Sequence, residues 1–111
     1  LRALGLHQTY DWTQHGSVWN RGIAVIRHVC ANELRGVADA DLLVVLLPGG
    51  RGTHVELGYA LALDKHVILY SEDALVFGAT PTTCAFYHHP NITHCLGPVE
   101  ALLELVAGLL P

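Results

Sequence analysis

Charge is scarce in this chain. Asp, Glu, Lys and Arg make up 14% of its 111 residues, and only six are basic. Neutralising a nucleic-acid backbone takes clustered Lys and Arg. Six scattered basic residues and a formal net charge of −4 offer no such cluster, which argues against non-specific nucleic-acid binding. Long apolar runs are missing too: no stretch approaches the roughly 20 residues that span a bilayer. No charged segment with a cleavage site opens the sequence, so no membrane partner is expected. The three cysteines, Cys30, Cys84 and Cys95, are odd in number and form no C-x-x-C pair. They read as reduced thiols in a cytoplasmic protein. Repeats, linkers and low-complexity segments are also absent.

What the chain has in quantity is hydrophobic side chains, at 51%. That composition excludes disorder, and the length suits one domain, 1–111, around one core. So sparsely charged a surface points to a homo-oligomer, a dimer or higher. The opening LRALGLHQTYDW reads as a helix tail, a stop at Gly5 and a short strand around His7–Tyr10. A first strand and most of a first helix are therefore expected to be missing from the sequence.

From about Val18 to Ala38 apolar residues recur at three- and four-residue steps, which predicts an amphipathic helix with Cys30 on its apolar face. The aliphatic run Asp41–Leu47 then predicts a strand buried on both faces, as in a parallel sheet. Pro48–Gly52 is turn material, and Thr53 to about Asp64 reads as a second helix. Lys65–Tyr70 reads as another strand, joined to the first by a right-handed parallel crossover. Ser71–Thr82 reads as a loop, Ala85–His88 as a short strand, and Pro98 to about Leu109 as a closing helix with Pro at its start. The expected fold is a three-layer α/β sandwich with a central parallel sheet, flavodoxin-like or Rossmann-like.

In such sheets ligands bind beyond the carboxyl ends of the strands. PGGRGTHVELG, Pro48 to Gly58, occupies that place. Gly49, Gly50 and Gly52 permit positive φ and close approach of a ligand to the backbone, and the amides of Arg51 to Val55 can face an anion at a helix N-terminus. The stretch lacks the lysine of the phosphate loop and is not G-x-G-x-x-G. Thr53-His-Val-Glu56 equally fits a capping box that stabilises a helix and needs no function. Gly58, inside the helix, costs roughly 1 kcal/mol against Ala, so a close approach is expected there. A carboxylate in the first turn would be held ionised by the helix dipole, which suits a nucleophile.

The segment ELRGVADADLLVVLLPGGRGTHVELGYALALDKHVILYS resembles the nucleoside 2-deoxyribosyltransferase family, with its G-[TS]-x-x-E-[LI]-G-x-A motif. TYDWT upstream and FYHHPNITHCLG downstream resemble regions of small bacterial members. The resemblance implies a flavodoxin-like domain that cleaves or exchanges N-glycosidic bonds of deoxynucleosides or their monophosphates. It implies that Glu56 is the nucleophile, holding the sugar as an ester, and that a neighbouring subunit completes the site. Arg51 stands where the transferases commonly carry Asp, and the family's glycine-containing first strand is absent. PGG-x-GT-x-x-E also resembles the "lonely guy" phosphoribohydrolases, which act on nucleoside 5′-monophosphates.

Arg51, with the Gly49–Thr53 amides, would recognise a phosphate; the alternative is a solvated side chain. Tyr10, Asp11 and Trp12 would stack on and hydrogen-bond to a base or sugar, or else pack structurally. Cys84, His88, His89, His94 and Cys95 match no zinc-ligand spacing, so neither metal nor cofactor is expected. Asn91 and the histidines before it are candidates to reach a neighbouring subunit. The partner expected is a nucleoside or nucleotide, bound by an enzyme or by a non-catalytic module of the same fold.

Overall fold

The computed structural model describes residues 21–109. The expected strand at His7–Tyr10, the candidates Tyr10, Asp11 and Trp12, and the expected helix start at Val18 lie outside the described residues. Helix α1 spans Ile23–Asp39 and follows Gly22, whose φ of 90° suits a residue without a β-carbon. It buries Val29 and Val37, eight residues apart on one stripe. Cys30 is exposed, against expectation. It sits one residue beyond Val29, a rotation of about 100° that carries it off the stripe.

Strand β1 covers Leu42–Leu46, helix α2 Arg51–Ala62 and strand β2 His66–Ser71. Strand β3 follows at Ile92–Leu96 and helix α3 at Val99–Leu109. All pairings are parallel, in the order β1-β2-β3. Central β2 alternates its side chains between two cores, as the pleat requires. Val67 and Leu69 join Val37, Val45, Leu57, Ala60 and Tyr87 on one face. Ile68 and Tyr70 join Cys95, Leu102 and Val106 on the other. Helices α1 and α2 therefore cover one face and α3 the other, the three-layer α/β arrangement expected from the sequence.

Two expectations are corrected here. β1 is an edge among the described strands and is not buried throughout, with Leu46 53% exposed. Its aliphatic run reflects two apolar faces, but among the described strands only β2 has a neighbour on both sides. Ala85–His88 is a 3-10 turn and not a strand. The third strand is Ile92–Leu96, where Thr93 and His94 disguise an extended segment that buries Cys95. No described helix is long and apolar enough to cross a membrane.

Candidate active site

The Leu47 amide donates to the Tyr70 carbonyl (2.8 Å), extending the β1–β2 pairing to the point where the turn departs. The Leu47–Pro48 peptide is cis. The chain then leaves the carboxyl end of β1, passes Gly49 and Gly50, and enters α2 at Arg51, two residues earlier than the sequence suggested. Gly49, Gly50, Arg51, Gly52 and Thr53 are thus together at the head of α2.

The earlier start removes the capping box. Gly50 is the N-cap, and among the described residues no side chain caps the helix; Thr53 lies in the first turn and Glu56 in the second. Thr53 packs instead of capping: a β-carbon on Gly49 would lie 2.6 Å from the Thr53 methyl. Gly49 is glycine for that close approach and not for positive φ, which among the described glycines occurs only at Gly22 and Gly97. Among the described residues nothing lies within 4 Å of a β-carbon placed on Gly50, Gly52 or Gly58, so the close approach expected at Gly58 is not made by these residues.

The uncapped start leaves the amides of Arg51, Gly52 and Thr53 without helical acceptors. Together with the helix dipole they form a site that favours an anion. Arg51 is exposed beside them.

Glu56 is half-buried on the flank of α2 nearest α1. Burial pushes its carboxyl up from its ordinary value, and the Glu33 carboxylate on α1 pushes it further. The carboxylate was expected to be held ionised by the first turn. At the second turn the dipole's influence has faded, and desolvation with a like charge decides the direction.

A second feature lies on the opposite flank. His54, Val55, Gly58, Leu61 and Ala62 of α2 face Cys84, Phe86 and His89 across an open groove of about 680 Å³. Residues 54, 58 and 62 share one stripe of the helix at 3.6 residues per turn, and residue 56 falls roughly opposite. Glu56 and the groove therefore belong to opposite sides of α2.

Two residues at this site, His54 and Tyr87, escaped the sequence reading. His54 Nε2 lies 2.7 Å from the Tyr87 hydroxyl, and its Nδ1 lies 2.7 Å from the Gly50 carbonyl. The spacing to Gly50 was the available signal, since a side chain at position four of a helix can reach the N-cap carbonyl.

Other histidines are engaged in packing. His94 stacks on Phe77 (4.1 Å between ring centres), bonds the Tyr87 carbonyl through Nε2, and meets His88 edge-on. His89 Nδ1 accepts from the Asn91 amide, and Asn91 Nδ2 donates to Asp64 Oδ1. Among the described residues no group of three or more His, Cys, Asp or Glu could hold a metal ion.

Comparison with known proteins bears on this geometry. The model of the family described as nucleoside 2-deoxyribosyltransferase matches residues 1–94. Among solved structures, the CMP N-glycosidase BcmB of Clostridium botulinum is similar in fold, with a TM-score of 0.54 and 19% identity. That similarity covers 74% of each chain. No curated protein matches.

Proposed function

This chain belongs to the nucleoside 2-deoxyribosyltransferase family, and we propose that it cleaves or exchanges the N-glycosidic bond of nucleosides or their 5′-monophosphates, with Glu56 as nucleophile. The observation that carries this reading is the half-buried Glu56 one helical turn behind three uncapped amides. A carboxylate there can act on a sugar whose anionic end is held at the helix start.

The ionised Glu56 carboxylate attacks the anomeric carbon as the bond to the base nitrogen breaks. The bonding pair leaves with the base, which takes a proton, and the sugar is held as an ester. A second base or water then attacks the same carbon and releases Glu56, giving exchange or hydrolysis with net retention. Partial burial sharpens the nucleophile by removing water from it; the raised pKa means that the reactive form accumulates only above that value.

Arg51 supports the nucleotide form of the reading. An exposed guanidinium beside the first-turn amides matches a phosphate better than an uncharged 5′-hydroxyl. The "lonely guy" type of phosphoribohydrolase is the second reading, favoured by that same arginine. The proposal includes one domain, a homo-oligomer and a cytoplasmic setting. Val55 (64% exposed) and Phe86 (71% exposed) are apolar surface that assembly would cover. Tyr10, Asp11 and Trp12 remain candidates for holding the base or sugar.

The test is a panel of ribo- and deoxyribonucleosides and their 5′-monophosphates, incubated with and without a second free base. Mass spectrometry distinguishes exchanged nucleoside from free base. Saturable binding without either product would replace the enzyme by a binding module.

A further inference from the structure

We propose that His54 is a positioning residue: it orients the Gly50–Arg51 peptide so that the Arg51 amide faces the ligand at the head of α2. This goes beyond the assignment of Glu56 and rests on it only for the kinetic half of its test. A carbonyl only accepts hydrogen bonds, so the 2.7 Å contact with Gly50 requires the proton on His54 Nδ1. In the neutral ring Nε2 is then an acceptor, and the Tyr87 hydroxyl donates to it at 2.7 Å. The Gly50 carbonyl also receives the His54 backbone amide at 3.2 Å, so one residue grips it twice.

The clamp is anchored in the core. Tyr87 is buried among Val67, Leu69 and Leu57. Burial pushes its phenol above its ordinary value, with Cys84 adding to the effect, which keeps it a neutral donor. The two rings stack with an interplanar angle of 20° and centres 5.8 Å apart, fixing the imidazole plane as well as its tip.

The consequence follows from peptide planarity. The Gly50 carbonyl and the Arg51 amide share one rigid trans unit. Holding the oxygen toward His54 aims the N–H the opposite way, out of the head of α2. Among the described residues nothing packs within 4 Å of the β-carbon position of Gly50 or Gly52, so beyond the His54 backbone amide the side chain of His54 is what holds this peptide. Both ring nitrogens of His54 are engaged within the protein, at the Gly50 carbonyl and the Tyr87 hydroxyl.

The experiment compares the full chain with His54→Ala, His54→Asn and Tyr87→Phe by amide NMR, and measures turnover of the four 2′-deoxynucleoside 5′-monophosphates. Asn keeps a donor near the place of Nδ1 and loses the link to Tyr87. The expected result is displaced or broadened Arg51 and Gly52 amides in His54→Ala with unshifted Val67–Leu69, restoration toward wild type in His54→Asn, and a smaller displacement in Tyr87→Phe. KM should rise about tenfold in His54→Ala with kcat nearly kept, equivalent to one lost hydrogen bond; a purely structural role would lower the active fraction and leave KM alone.

Arg51 and Gly52 amides that stay in place in His54→Ala would overturn the proposal. If His54→Ala does not fold, Tyr87→Phe decides by the same resonances. A wild-type protein that turns over none of the four monophosphates counts against the nucleotide reading of Glu56, while the amide spectra still settle the clamp.

Discussion

A β-carbon on Gly49 would stand 2.6 Å from the Thr53 methyl, so these two residues interlock across the turn that opens α2. Gly49→Ala should therefore overpack the turn and destabilise the protein by about 1–3 kcal/mol, measured by chemical denaturation. Thr53→Ser, which removes the methyl, should recover part of that loss in the double variant. Independent, additive effects would show that the interlock does not set the turn.

Glu56→Gln should abolish base release while leaving the fold intact. It should also change stability with pH in a defined sense. Burial raises the Glu56 pKa in the folded protein. The neutral form is therefore favoured by folding, and that contribution is fully present below the unfolded value of about 4.3. It is lost as pH rises through the folded value. Glu56→Gln should thus melt above wild type at pH 7, with the gap closing as pH approaches 4. A wild type more stable than the variant at pH 7 would contradict this sign.

Arg51→Ala should lower kcat/KM for 5′-monophosphates by roughly tenfold to a hundredfold, as expected for a charged hydrogen bond. Nucleosides should be almost unaffected. An unchanged preference between the two substrate classes would return Arg51 to the solvated alternative.

Leu69→Ala removes a fully buried side chain from the central strand and should cost about 2–5 kcal/mol. Because Leu69 lies in the same core as Tyr87, this loss tests how far the clamp depends on its anchor. The two-dimensional spectrum of the folded fraction should keep the wild-type Arg51 amide position if the anchor tolerates the cavity.

The layers were legible in the sequence because they rest on patterns several residues long. The aliphatic runs before Leu47 and Tyr70 and the glycine turn between them place a parallel crossover and its ligand end. The third strand was not legible, because Ile92–Leu96 carries Thr, His and Cys where an aliphatic run would have announced it. The capping box failed for a local reason: a T-x-x-E string does not reveal where the helix begins, and a start at Arg51 turns the threonine into packing. His54 and Tyr87 are 33 residues apart, so their meeting depends on how the Ala85–His88 turn docks against α2. No short-range pattern encodes that.

The two strand pairings also have a kinetic meaning. Leu42 meets His66 and Val67 meets Ile92, separations of 24 (66 less 42) and 25 (92 less 67) residues. The chain entropy lost in closing those two loops differs by well under about 0.1 kcal/mol. Neither pairing has a head start from topology. The order in which the sheet assembles is left to the side chains, and substitutions on the two faces of β2 can shift it in opposite directions.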